Sequence, residues 1–531
     1  MKNTLADPRK LTHTMVLALF ALVTSLPALA QNQIPIHELP VAKLTAALAA
    51  GELTSTNVTA AFLDRIAAVD QAGPTLNAII EINPDAKAIA AALDKHWVEH
   101  GAKGALHGVP VVLKANIDSG DAMATSAGSL ALADHQAHDD AALVTRLRAA
   151  GAVILGKTNL SEWANFRSTA SSSGWSSAGG QTRNPYVLDR NPCGSSSGSA
   201  VAVSAGLAPL AVGTETDGSV VCPASANGVV GIKPTLGLIS RDGIIPIAHS
   251  QDTAGPMARS VWGAAILLQE MLSYAAEDPR ALKLPADTRL LPDPAAKRLD
   301  GKRIGVLRNY PGSGDAAVEA VYTASLKTLQ TLGAELVEPL QLTWEDSIGD
   351  AEFEVLLYEF KAGLNAYLRQ AGVKQDRDTL AELIIFNRQH AAQVMPWFKQ
   401  ELFHAAAAKG DLAEDAYQAA LAASGDQLRQ MLNKMFLEQN LAAVVMPSNG
   451  PAWKTDWLLG DNPGGVFTSS LAAISGFPNV TVPAGMIQQL PVGLSVVGPA
   501  LSDAGIIQIA YAFEQATQAR RAPTFLPSLE R

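Results

Sequence analysis

The sequence predicts an α/β protein built as a single large domain, with a central, twisted, mostly parallel or mixed sheet covered by helices on both faces. Three observations carry this. Short, almost wholly apolar runs over 109–113, 152–155, 303–307 and 442–446 suit strands buried on both faces. Amphipathic helical stretches alternate with them, the rhythm of a sheet flanked by helices. Finally, a chain of 531 residues that is 48% hydrophobic and 17% charged can bury a large core, while 42 glycines and 30 prolines indicate many tight turns. Large α/β enzymes of this length occur as one unit.

Residues 1–30 read as a targeting segment. Lys2, Arg9 and Lys10 supply positive charge, 15–26 is an apolar core, and Ala28-Leu29-Ala30 is a small-residue cleavage site. A mature chain would start at Gln31, so no lipid-bearing cysteine begins it. The expected location is therefore exported, periplasmic or secreted. An uncleaved anchor is the competing reading. Without these thirty residues the chain keeps 37 basic and 49 acidic side chains, a net of −12. An acidic protein with no basic stretch is a poor partner for nucleic acid. No later apolar run reaches a membrane span. After cleavage the expectation is no membrane association, and a monomer or simple homodimer.

In chain order, 41–50 and 55–69 read as helices, the second with Ser55 as N-cap and Val58, Phe62 and Ile66 on one face. Residues 76–82 alternate as a strand and stop at Asn83-Pro84; 85–100 is helical. Strand 109–113 ends at Lys114, and a helix over 139–149 leads to strand 152–155. Residues 156–192 lack periodicity but are rich in Ser, Gly, Asn and Trp. Such a long irregular segment in a compact protein is functional or disordered, and Trp163, Phe166 and Trp175 argue against disorder. It reads as a wall of a substrate cleft, the alternative being that the aromatics merely pack beneath the loop.

Further on, 229–233 and 237–240 read as short strands and 261–272 as a helix, with 277–301 a surface connection. The strand-then-helix rhythm resumes at 303–307. From about 350 to 440 the pattern is helical, an insertion rather than a separate fold, and 442–446, 479–482 and 492–497 are strands. No fixed-period repeat is visible.

The stretch with most chemistry in it is 193–227, CGSSSGSAVAVSAGLAPLAVGTETDGSVVCPASAN. Its Gly/Ser loop, 194–199, and its second turn, 213–219, are tied by one packed segment. Two such loops can aim backbone N–H groups and hydroxyls at one point, an arrangement that suits a nucleophile beside an oxyanion hole. Ser219 follows a glycine turn, and the N–H groups of Thr216, Asp217, Gly218 and Ser219 are natural oxyanion donors. A lysine can act as base only when neutral, which burial favours. Lys114, Lys157 and Lys233 all follow apolar runs, so physics alone does not choose among them.

The stretch resembles the serine-rich signature of the amidase signature family, GGSSGGSA…GTDxGGSxRxPA, and the resemblance runs from about Thr45 to the C-terminus. The closing GFP…LPVG pattern shares it. Within the family, GTETDGS and GKTNLSEWANF are most similar to the bacterial peptide amidases. The resemblance implies an amidase domain over 31–531 with its signature core at about 100–260. It also implies a Ser-cisSer-Lys triad: nucleophile Ser219, bridging Ser195 and base Lys114. Lys157 and Lys233 then become structural. The implied activity is hydrolysis of C-terminal peptide amides with release of ammonia. Alternatives are other amides (aryl, fatty-acyl or cyclic oligoamides), an amidotransferase subunit, or an inactive binding protein. Small-molecule or peptide amides are the implied partners, with Trp163, Phe166, Trp175 and Ser196 as candidate substrate contacts. Two departures stand out: Asp217 and Ser197 occupy positions where the family usually has glycine, and Ala115 replaces an Asp after the lysine.

Competing chemistry fares worse. Gly194–Gly198 fits the G-x-S-x-G elbow with Ser196 at its centre, but 189–193 is no strand, and His249, His390 and His404 sit in no matching context. Scattered histidines without metal-ligand spacing, and no phosphate loop, predict no metal and no cofactor. Cys193 and Cys222 flank the two loops; a bridge is conceivable, but their closeness to the site favours two buried thiols.

Overall fold

A computed structural model describes residues 34–529 apart from 286, 341 and 343–345; the predicted targeting segment lies outside the described residues. Helices α1 (Val41–Ala49) and α2 (Ser55–Arg65) open the domain. Thr54, not Ser55, is the N-cap of α2, its side chain accepting from Asn57 N; the Ser55 N–H is used by Asp94 instead. Strand β1 (Ile79–Ile82), α3 (Ala86–His100), β2 (Pro110–Lys114), α4 (Ala142–Ala149) and β3 (Val153–Thr158) follow. The signature stretch forms α5 (Ser197–Ser204), β4 (Leu210–Glu215) and α6 (Val221–Ala226). Next come β5 (Val230–Lys233), β6 (Thr253–Ala258), α7 (Val261–Met271), β7 (Arg303–Leu307), α8 (Ala316–Thr331) and β8 (Glu335–Leu340).

Helices α9 (Asp346–Gln370), α10 (Leu380–Gln389), α11 (Ala391–Val394), α12 (Glu401–Ala407), α13 (Asp415–Leu421) and α14 (Gln427–Glu438) make the helical insertion. Strand β9 (Ala443–Pro447), α15 (Ser470–Ser475), β10 (Asn479–Ile487), β11 (Leu490–Val497) and α16 (Asp503–Thr517) close the chain.

Eleven strands form one sheet in the order β1-β3-β2-β4-β6-β5-β10-β11-β9-β7-β8. It is mixed: β3-β2-β4 and β9-β7-β8 are parallel wings, and the pairings between β4 and β9 are antiparallel. Every residue of β2, β3, β4, β6 and β9 is buried, and because side chains alternate, both faces are covered. Helices α4, α7, α16 and α8 touch one another in succession, while α5 packs against α6 and β4.

Two expectations need correction. Residues 237–240 are a turn, not a strand: Gly237 has φ +92°, and a Cβ there would lie 1.8 Å from the Arg280 carbonyl oxygen. Conversely Thr253–Ala258 is a central strand that the pattern hides. Its small residues are a packing requirement, since a Cβ on Gly255 would meet the Ile232 carbonyl oxygen at 2.3 Å. The insertion builds a second core, with Leu357, Phe360, Leu364 and Phe403 packed onto Trp163, Phe166, Ile245 and Ile247.

Candidate active site

Strand β2 delivers Lys114 to its C-terminal end inside the core, where the side chain is completely buried. Its Nζ lies 2.7 Å from Ser195 Oγ, 2.9 Å from Thr214 Oγ1 and 3.3 Å from the Thr214 carbonyl oxygen. Burial pushes the ammonium pKa down to about 7, against the opposing charges of Asp252 and Glu215. A neutral amine there keeps two N–H groups for the Thr214 oxygens and one lone pair, which the Ser195 hydroxyl can donate to.

The Gly194–Ser195 peptide is cis. Ser195 is fully buried and its carbonyl accepts from Ser161 N at 3.1 Å. The adjoining Ser196 N donates to the Ser219 carbonyl at 3.1 Å, joining the two signature loops. A second tie is covalent: Cys193 and Cys222 form a disulfide, with α-carbons 6.0 Å apart. This corrects the expectation of two free thiols. The convergence of the loops that brings Ser195 towards Ser219 also brings together the cysteines flanking them. Exposure falls from 7% at Ser219 to zero at Ser195 and Lys114, so the three residues form an inward series.

Ser219 stands at the start of α6, whose first N–H groups, Val220 and Val221, donate to Glu215 Oε2 at 2.7 and 2.9 Å. Just before it, none of the N–H groups of Thr216, Asp217, Gly218 and Ser219 donates to another group among the described residues. Gly218, at φ +78°, needs its missing side chain: a Cβ would meet the Phe467 ring at 2.7 Å. Asp217 accepts from the Ser469 hydroxyl and, at 2.5 Å, from the Ser470 hydroxyl. Desolvation raises its pKa and those hydroxyls oppose the shift. Thr216 Oγ1 donates to Asp252 Oδ1 at 2.5 Å. A cavity of about 270 Å³ borders Thr214 and Thr216, with Asn116, Ile245, His249 and Tyr367 among its other lining residues.

The remaining predicted residues have other partners. Ser196 Oγ donates to the Thr214 carbonyl at 3.0 Å and accepts from Thr214 N at 3.1 Å, which locks it to β4. Trp163, Phe166 and Trp175 are buried, with ring contacts to Phe403, Phe360 and Phe398 of the insertion segment respectively; Trp175 also borders a separate cavity of about 880 Å³. Glu162 and Arg167, a fully buried ion pair at 3.3 Å, stiffen that wall. Lys157 Nζ donates to the Ile117 carbonyl and Lys233 Nζ to the Phe477 carbonyl, anchoring strand ends away from Ser195. Ser197, where the family usually has glycine, donates to the Cys193 carbonyl at 2.6 Å. Ala115 is buried against backbone, its carbonyl accepting from Ser126 N and Ala127 N.

Sequence reasoning misses Thr214, Asn116, Gln251, Asp252 and Glu352. Thr214 lies inside the signature stretch and its hydroxyl is the signal that could reveal it, and Asn116 follows Lys114 by two residues; Gln251, Asp252 and Glu352 come from segments that only the fold brings to the site.

A buried lysine beside a serine hydroxyl, and a turn of free N–H groups, on a mixed α/β sheet are the parts that acyl transfer requires. Comparison with known proteins makes this specific. The amidase family's sequence model matches residues 57–507. The native peptide amidase of Stenotrophomonas maltophilia superposes with a TM-score of 0.86 at 48% identity, covering 92% of this chain and 99% of that one. A probable amidase of Arabidopsis thaliana is 38% identical over 509 residues, 92% of either chain. The glutamyl-tRNA(Gln) amidotransferase of Paraburkholderia xenovorans contains a polypeptide that is 34% identical over 516 residues, 92% of this chain and 99% of its own length. The chain belongs to the amidase family, and it is an amide-hydrolysing enzyme.

Proposed function

We propose that this enzyme removes ammonia from the C-terminal carboxamide of peptides, through an acyl-enzyme on Ser219. The observation that carries the mechanism is the 2.7 Å contact between Lys114 Nζ and Ser195 Oγ, in the loop joined to that of Ser219. An amide is a weak electrophile with a poor leaving group, so three tasks must be met. Neutral Lys114 accepts the Ser195 proton as Ser195 takes that of Ser219, whose Oγ attacks the carbonyl carbon. The N–H groups of Thr216–Ser219 receive the oxyanion. The proton then returns along the same path to the departing nitrogen, ammonia leaves, and water repeats the sequence on the ester.

Preference for peptide amides is supported by the likeness to the Stenotrophomonas peptide amidase and by GTETDGS and GKTNLSEWANF. We propose also that the protein is exported, a reading that the disulfide supports because such bonds persist in oxidising compartments. The test of substrate class is hydrolysis of peptide amides, free peptides and anilides side by side, read as ammonia, new α-amino groups and aniline respectively. Hydrolysis confined to peptide amides supports the proposal; anilide cleavage with inert peptide amides overturns it.

A further inference from the structure

The oxyanion turn is held from outside the signature. The Thr216 carbonyl accepts from Gln251 Nε2 at 3.3 Å, and the same Nε2 donates to Glu352 Oε1 at 2.8 Å. Glu352 belongs to α9, the first helix of the insertion. Two helical turns on, Glu359 accepts from Ser250 N at 2.9 Å and from Tyr417 OH at 2.7 Å. Gly363 follows, where a Cβ would meet Pro246 at 3.2 Å, and then Tyr367, whose hydroxyl donates to Asp118 at 2.6 Å. Positions 352, 359, 363 and 367 share one helical face, so α9 lies along segment 246–252 from Glu352 to Gly363 and reaches Asp118 through Tyr367. That segment in turn grips Thr216 twice, through Gln251 on its carbonyl and Asp252 on its hydroxyl.

Gln251 and Glu352 are both buried, at 3% and 9% exposure, and losing Glu352 leaves the Gln251 amide without its carboxylate acceptor. Thr216 lies in the turn whose N–H groups face the reacting carbonyl, and small displacements of such donors weaken transition-state binding more than ground-state binding.

We infer that Glu352 is a positioning residue for the oxyanion turn, acting through Gln251 on the Thr216 carbonyl, so that the helical insertion sets the rate of the chemical step. The inference rests on amide hydrolysis at Ser219 but not on a preference for peptide amides. Burial, and then the charge of Asp217, push the Glu352 carboxyl up to about 8, so glutamine resembles its protonated form and keeps the acceptor.

The test compares Glu352→Leu, Glu352→Gln, Gln251→Leu and the Glu352→Leu/Gln251→Leu double variant on one small N-acyl amino-acid amide, with kcat expressed per titrated active site. A peptide aldehyde, which binds as a tetrahedral adduct, serves as a second probe. Glu352→Leu should lower kcat about tenfold, below the ~10²-fold or more of losing an oxyanion donor outright, and weaken the aldehyde by a similar factor, with KM within about twofold. Glu352→Gln should restore most of the loss, and the double variant should be no worse than Gln251→Leu alone. Gln251→Leu cuts the same link from the other side and decides the matter if Glu352→Leu does not fold. Wild-type kcat per site in the folded leucine variants, a change confined to KM, or multiplicative losses in the double variant would overturn the inference. These ratios hold on any amide the enzyme turns over, so a wrong peptide-amide assignment shows in the substrate panel and not here.

Discussion

Lys114 Nζ sits 2.7 Å from Ser195 Oγ in a pocket that solvent does not reach. Burial is what turns a lysine into a base, and here it pushes the pKa down to about 7. The neutral fraction therefore grows as pH rises through neutrality. The acid limb of kcat/KM should follow a group near about 7, with activity sustained on the alkaline side. A profile that falls as pH rises through this range contradicts a neutral lysine base.

A profile alone does not distinguish lysine from an imidazole of ~6.5, so substitutions decide. Lys114→Ala should lower kcat by about 10³-fold. Lys114→Arg should do no better, because guanidinium keeps its proton. Full activity in Lys114→Arg would mean that positive charge suffices, and the relay would have to be abandoned.

Ser196 is the central serine of the elbow-like GSSSG, yet its hydroxyl is spent on both backbone groups of Thr214. Ser196→Ala should lower stability by about 1–3 kcal/mol, by leaving the Thr214 N–H unpaired while Lys114 still donates to the carbonyl, and should retain turnover. Ser219→Ala should lose at least about 10⁴-fold in kcat while folding normally. Steady-state kinetics and thermal melts on the two variants check both halves.

The Cys193–Cys222 bridge staples the loop of Ser195 to that of Ser219. Closing a loop of 29 residues stabilises a native chain by about 3.6 kcal/mol in the chain-entropy account. The Cys193→Ala/Cys222→Ala double variant should unfold at lower urea concentration and lose kcat more than KM. An unchanged urea midpoint with unchanged kcat would show that the bridge holds nothing in place.

How far the sequence reveals this site depends on whether a residue's neighbours in space are also its neighbours in the chain. The strand ending at Lys114 is legible because both its faces are buried and five apolar or small residues in a row say so. The two loops of 193–219 are legible from glycine and serine spacing and from family resemblance. Strand Thr253–Ala258 is not, because its composition answers to the crowding of β5 rather than to strand propensity. Nor is Glu352, one acid in a helix of many, whose place beside Gln251 depends on how the insertion docks. The cysteine pairing is hidden for the same reason, since the closeness of two loops is a tertiary fact.

The most direct measurement traps the acyl-enzyme. Acid quenching during turnover of a slowly hydrolysed amide or activated ester, followed by digestion and mass spectrometry, identifies the acylated side chain. A Ser219 nucleophile predicts one acyl group on that residue, absent in Ser219→Ala and still formed in Ser196→Ala. An acyl group on Ser196, or turnover with no modified serine, would contradict it.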